Sequence, residues 1–252
     1  MKPTAPRPHR WSWWLGSLVL LGLALACWQV LASLRYHWNW AGIWEQRELM
    51  LRGWGWTIGI SLVALLGTIV LGLLLAAGQE AKEPVTRSVC RIFVELVRGT
   101  PLLTQLLLGY YVVAAAFQLN DKIAAGILLL VVFESAYMAE ILRGGVASIE
   151  RGQWDAARAL GLNRWQTWRW IILPQALRRV LPGMAGQCAS LVKDSSLLSV
   201  IGVMEFAKQT DVAVSATSSP LEGYLPMALG YLALTLPLSY LARRMERSWR
   251  IS

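Results

Sequence analysis

An all-α membrane protein with about six transmembrane helices is the fold class this sequence predicts, and three observations predict it. The 252 residues are 56% hydrophobic and only 15% charged, with a mean hydropathy of +0.45, too apolar for an ordinary soluble domain. Long stretches contain no Asp, Glu, Lys or Arg at all. The basic residues, in a chain of net charge +9, gather in alternate connections, as Lys and Arg do around helices that cross a bilayer. That distribution excludes nucleic acid as the reason for the charge.

A crossing needs about 20 mostly apolar residues, and the chain offers them in order. Residues 1–10, with three prolines and the basic Lys2, Arg7 and Arg10, read as a short disordered cytoplasmic tail. Residues 11–34 are uncharged and too long for the apolar region of a cleaved signal. The stretch Ala24-Leu25-Ala26-Cys27 also lacks a leucine three places before its cysteine, so this span reads as a retained anchor. Residues 36–54 hold Trp38, Trp40, Trp44 and Trp54 among charges. Tryptophan favours the headgroup level, which predicts a short helix at the outer surface. The second span, 53–79, opens on Gly55 and Gly59, a spacing that permits close packing within the subunit.

The third span, 99–120, starts at Pro101, where a helix start tolerates the missing N–H. A tight turn around Asp121 makes it an antiparallel neighbour of the fourth, 123–142, which carries Glu134 and Glu140. The fifth, 180–203, carries Lys193 and Asp194, and the sixth is 223–242. Basic residues crowd the connections that include Arg87 and Arg98, Arg143 to Arg179, and Arg243 to Arg250. Both termini are therefore expected in the cytoplasm. The domain organisation is then 1–54, holding tail, extra helix and Trp-rich segment, and 55–252, a five-helix core with a cytoplasmic loop over 143–179.

That loop is patterned as helix. Residues 153–160 are rich in strong helix formers, and Gly161 supplies a stop. A second helical stretch, 164–172, is expected to end before Pro174. Helices so short are marginal alone, which points to a protein partner.

Within it, Asp155-Ala156-Ala157 is followed after three residues by Gly161, and nine residues later by Ile171-Ile172-Leu173-Pro174. This resembles the E-A-A…G…I-x-L-P signature of permease subunits of bacterial ABC importers, with Asp in place of the first Glu. Three further phrases resemble the polar amino acid group: Glu95 to Leu103 with Gln105, Ala136 to Ile141 with Arg143-Gly144-Gly145, and Lys193 to Leu197. The resemblance covers about 57–247. It implies a type I permease fold and import of polar amino acids through the bacterial inner membrane. It also implies a coupling helix made of Gln153, Asp155, Ala156, Ala157, Arg158, Leu160 and Gly161, seated in a separate ATPase. The partners implied are that ATPase, a second permease subunit, identical or not, an extracytoplasmic substrate-binding protein and membrane lipid. ATP and Mg would belong to the ATPase. This chain has no GxxxxGK[ST] phosphate loop, and no cofactor is expected on it.

Ionisable groups inside a membrane invite a functional reading. Glu134, Lys193, Asp194 and Ser195 are candidates for a central aqueous path, against the alternative that Lys193 simply neutralises an acid. Glu140, with Arg98, Thr100 and Gln105, is read as a gate or a structural contact. Cys27, Cys90 and Cys188 are scattered, as are His9 and His37, so neither a disulfide framework nor a metal site is expected. No triad or nucleophile elbow suggests an enzyme. An ion-coupled secondary transporter of small polar solutes is the competing reading, but it leaves the loop motif without purpose; a passive membrane scaffold leaves the buried charges without one.

Overall fold

The computed structural model describes residues 11–33 and 36–248, and the cytoplasmic-tail reading of 1–10 lies outside them. Two compact units are present, 1–39 and 40–252. In the first, helix α1 (Trp11–Ser33) is apolar all round, and from Trp14 to Val30 its large side chains are exposed. A helix of that kind is at home in lipid rather than water.

The second unit begins with the short α2 (Trp40–Glu45), as expected of the Trp-rich segment, and runs at once into α3 (Arg47–Gln79). Helix α3 contains many β-branched residues, which disfavour helix in water. In hydrocarbon the backbone must satisfy its own hydrogen bonds, so helix wins. One face of α3 is buried, at Thr57, Ser61, Ala64, Thr68, Gly72 and Gln79. Small residues there bring α3 against α6 (Lys122–Ala147). Gly67 meets Val131 and Gly72 meets Met138, so the two helices run in the same direction. Gly55 and Gly59 have no neighbour within 4 Å, and the packing role expected of them falls to Gly67 and Gly72.

Glu83 starts α4 (Pro84–Arg98) by accepting from the backbone N–H groups of Val85 and Thr86. The Thr86 bonds, then that to Val85, hold its carboxyl below the usual carboxylate range. Asp121 caps α6 in the same way, through Ile123 and Ala124, a device worth about 1 kcal/mol. Between them α5 (Leu102–Leu108) continues through a π turn, Gly109–Ala114. Helix α4 meets this segment at 106°.

The loop after α6 holds α7 (Arg151–Ala159) and α8 (Arg164–Gln166). A π turn, Thr167–Ile172, then leads directly into α9 (Leu173–Asp194). The second loop helix therefore does not end before Pro174. Pro174 sits in the first turn of α9, where its absent N–H costs nothing, and the wider turn ahead of it leaves room for its ring. A 3-10 segment, Ser195–Ile201, turns at Gly202 (φ 80°) into α10 (Phe206–Thr217) and α11 (Pro220–Ser248).

Among the described residues three helices, α3, α6 and α11, are long and apolar enough to cross a membrane, or four if α4 and α5 count as one bent span. The expected six spans are thus not all recovered as long unbroken helices. The third is helical only over α5 and its π turn, starting after the break at Gly99–Pro101 as expected, and the fifth ends as an α-helix at Asp194, where the 3-10 turn interrupts the helical ladder. The main core lies among α3, α4, α5, α6, the end of α9 and the 3-10 segment, around Ile60, Leu106, Leu130, Leu191 and Leu198.

Candidate functional site

Three groups of side chains correspond to the sequence expectations, and the loop is the best defined. Helix α7 ends in two bonds, Gly161 N–H to Arg158 carbonyl at 3.0 Å and Leu162 N–H to Ala157 carbonyl at 3.1 Å, with Gly161 at φ 70°. This pattern satisfies the last carbonyls of a helix and stops it sharply. The rod is held from beneath. Trp154 packs edge-on against Trp168 with centroids 5.8 Å apart, and Gln175 donates to Gln153 at 3.1 Å. Ile149, Ile172 and Ala176 form a small core under it, and Arg179 binds the carbonyl and hydroxyl of Ser148.

Ala157 is fully buried against this base, so of the two alanines Ala156 is the one on the open side. Asp155 and Arg158 pair with each other on the exposed side, and Leu160 is 74% exposed. A groove of about 730 Å³ runs beside the rod, lined by Arg151, Trp154, Asp155, Arg158 and Thr167 among others. The geometry is that of a short rigid projection with an apolar tip and a charged flank.

The second group lies in the span. Glu134 is completely buried, its Oε2 accepts from the Gln187 amide, and its Oε1 has no partner. Its carboxyl lies close beside that of Asp194. Ser195 is buried and donates to the Val192 carbonyl at 2.8 Å. Lys193 is exposed and makes no ion pair with Glu134 or Asp194 among the described residues. Successive residues on a helix point about 100° apart, so Lys193 and Asp194 cannot face the same way. The two acids are brought together, and the lysine is not.

The third group stands where α4, α5 and α6 meet. Glu140 receives a bidentate Arg143 (3.0 and 2.8 Å) and lies 3.5 Å from Arg98, whose guanidinium stacks over Tyr137 at 5.4 Å. Gln105 donates to the Val97 carbonyl at 2.7 Å and to both oxygens of Thr100, while Thr100 donates to the Leu96 carbonyl. Gln105 thereby satisfies the open end of α4 and holds the sharp bend, and all four expected residues belong to one elbow.

Two contributors were missed by a search for charges inside apolar stretches. Gln187 is uncharged. Glu205 lies just beyond the fifth stretch, where its signal was that of a helix cap ahead of Phe206. It is fully buried and binds Thr57 and Tyr231. No group of three or more His, Cys, Asp or Glu among the described residues could hold a metal ion.

Residues 68–251 match the family described as “Binding-protein-dependent transport system inner membrane component”. The glutamine transport system permease protein GlnP of Escherichia coli (strain K12) is 38% identical over 215 residues, spanning 84% of this chain and 98% of its own. The inner membrane amino-acid ABC transporter permease protein YhdY of the same organism is 31% identical over 267 residues, 95% of this chain and 72% of its own. A crystal structure of an amino acid ABC transporter with histidines superposes with a TM-score of 0.78 at 31% identity, over 84% of this chain and 100% of that one. The inward-facing MetNI methionine ABC transporter shares the fold, with a TM-score of 0.67 at 18% identity over 80% and 96% of the two chains.

Fold and loop together define a multi-pass, all-α membrane permease of the type I ABC-importer kind. The chain belongs to the family of binding-protein-dependent transport system inner membrane components. It is the permease subunit of such an importer in the inner membrane and not its ATPase, and nothing in these relatives supports ion-coupled transport.

Proposed function

We propose that this subunit carries polar amino acids from periplasm to cytoplasm by alternating access, driven by a separate ATPase into which α7 inserts. The single observation that carries the reading is the exposed, base-supported rod ending at Gly161. A rod braced on α9 transmits a push to the helix that ends at Asp194, without bending on the way. Such a link joins nucleotide hydrolysis, in a partner that holds ATP and Mg, to the membrane path. Two permease subunits and an extracytoplasmic binding protein complete the assembly.

Six crossings are assigned to α1, α3, α5 with its π turn, α6, α9 with the 3-10 segment, and α11. The arginine-rich ends of these helices and the basic loop support an orientation with both termini in the cytoplasm. Residues 1–54 then form an addition to a core of 55–252 whose cytoplasmic loop is 143–179. Glu134, Asp194 and Ser195 line the path when it opens, Glu134 and Ser195 being buried in this structure, and Lys193 flanks it at the broken end of α9. Glu140, Arg98, Thr100 and Gln105 form the cytoplasmic gate, because an elbow held by side chains can straighten or relax as one piece.

The test is reconstitution with the ATPase and binding protein. Deleting 153–161 is expected to leave the subunit folded while abolishing ATPase stimulation and uptake. Uptake by the deleted complex at the full rate would reject the proposal.

A further inference from the structure

Helix α4 sorts its side chains into three sectors. Val85, Val89, Ile92 and Leu96 recur at i, i+4, i+7 and i+11, and each is 56 to 67% exposed. Val94 and Val97 are buried against the core. Arg87, Arg91 and Arg98 fall about 130 to 170° from the centre of the exposed stripe at 100° per residue, with Glu95 on its flank at about 90°. In water such a stripe would be an unexplained liability.

Its surroundings say what covers it. The first half of α4 packs at Cys90 against Gly78, one residue from the end of α3. Its last residue, Arg98, lies on Tyr137 and Glu140, in the last three turns of α6. Because α3 and α6 run in the same direction, both ends of α4 are fixed at one and the same end of the bundle. The segment that follows, beginning at Leu102, departs at 106°. Helix α4 therefore lies across the bundle end rather than along a membrane normal, with its apolar stripe on one side and its charges on the other. An amphipathic helix of that kind lies in the interface with its apolar face among acyl chains.

We infer that α4 is an in-plane helix at the cytoplasmic surface, its Val85, Val89, Ile92 and Leu96 stripe sunk into the inner leaflet. The leaflet rests on the orientation proposed above; the in-plane lie does not. The stripe anchors the lower arm of the elbow in lipid, so that motion at Gly99–Pro101 swings the crossing segment against a fixed arm.

Spin labels test this in the full complex, reconstituted in phosphatidylethanolamine and phosphatidylglycerol, with Cys27, Cys90 and Cys188 replaced by alanine. Labels at Val85→Cys, Val89→Cys, Ile92→Cys and Leu96→Cys are expected to be open to oxygen, shielded from a water-soluble nickel chelate, and of nearly equal depth. Arg91→Cys is expected to show the reverse accessibility. A depth that changes by about 16 Å from position 85 to 96, as a crossing helix requires at 1.5 Å per residue, would overturn the proposal. Shielding of the stripe from both reagents would also overturn it, because a protein and not lipid would then cover it. An impermeant maleimide should reach Arg91→Cys only from the cytoplasmic face. Labelling from the outside would reject the orientation and the inner leaflet, while the equal depths would still report an in-plane helix.

Discussion

The Tyr231 hydroxyl donates to Glu205 Oε2 at 2.7 Å, and through that contact α11 is tied to the start of α10 and to α3. The same carboxylate accepts from Thr57 at 3.2 Å and from the N–H groups of Ala207 and Lys208 at 2.9 Å each. Thr57 in turn accepts from Phe206 N–H at 3.1 Å. A buried acid is tolerated when donors surround it, and here the donors come from three helices, of which α10 and α11 are joined by a short turn and α3 is distant in the chain.

Replacing Glu205 by alanine strands two hydroxyls and two N–H groups at once. Each unsatisfied group costs roughly 1 to 3 kcal/mol, so a large fall in the thermal midpoint of the detergent-solubilised protein is expected. Glu205→Gln keeps an acceptor oxygen and should lose less. Tyr231→Phe removes one donor and should cost least, about 1 kcal/mol. Equal losses for all three would show that the carboxylate does not organise the junction.

Gly72 sets the spacing of α3 and α6. A Cβ there would stand 2.8 Å from Met138 Cγ and 2.9 Å from its Cβ, so Gly72→Ala must push the helices apart, at a cost of about 1 to 3 kcal/mol. Gly55→Ala, inside α3 but with open space around it, should leave the midpoint unchanged or raise it slightly. Thermal unfolding of the pair of variants decides it.

These two sites show how far the sequence could be read. Helix positions were legible because hydrocarbon permits no other backbone for an uncharged stretch. Which glycines pack was not, since α3 is apolar around its whole circumference and no contrast between faces marks Gly67 and Gly72 over Gly55 and Gly59. The elbow was half legible: Pro101 announces a helix start, but Gln105 reaching back to Val97 depends on a fold in space. The end of α9 at Asp194 was hidden because Ser195–Ile201 is as apolar as a continuing helix. In the loop the rod and its stop were legible from Ala156 to Gly161, whereas the burial of Ala157 follows from how the loop packs in space, which no spacing encodes.

Glu83 gives a pH prediction. Its carboxyl is held below the ordinary value of 4.5, chiefly by Thr86, so its contribution to α4 is present above the unfolded-state pKa and is lost as pH falls through the lower folded value. Amide exchange at Val85 and Thr86, corrected for intrinsic rates, should stay slow at neutral pH and quicken only below the ordinary carboxylate range. In Glu83→Gln the exchange should be faster at neutral pH and no longer depend on pH. A wild-type transition at or above pH 4.5 would contradict the assignment.

Gly161 is the most economical test of the loop. At φ 70° an alanine is strained by roughly 1 to 2 kcal/mol, yet nothing lies within 4 Å to clash with its methyl group. The strain is thus confined to the stop of α7 and the two bonds from Gly161 and Leu162. Gly161→Ala is therefore expected to fray the rod, lowering ATPase stimulation and uptake together, with little change in the unfolding of the membrane helices. Gly161→Asn should retain more activity, since asparagine enters the left-handed region more readily. Gly152→Ala, inside α7 and also in open space, should firm the rod by about 1 kcal/mol and leave coupling intact or improved. If Gly161→Ala couples as well as the wild type while Gly152→Ala does not, the shape of the rod's end is not what the partner reads, and contact along its charged flank, at Asp155 and Arg158, takes its place.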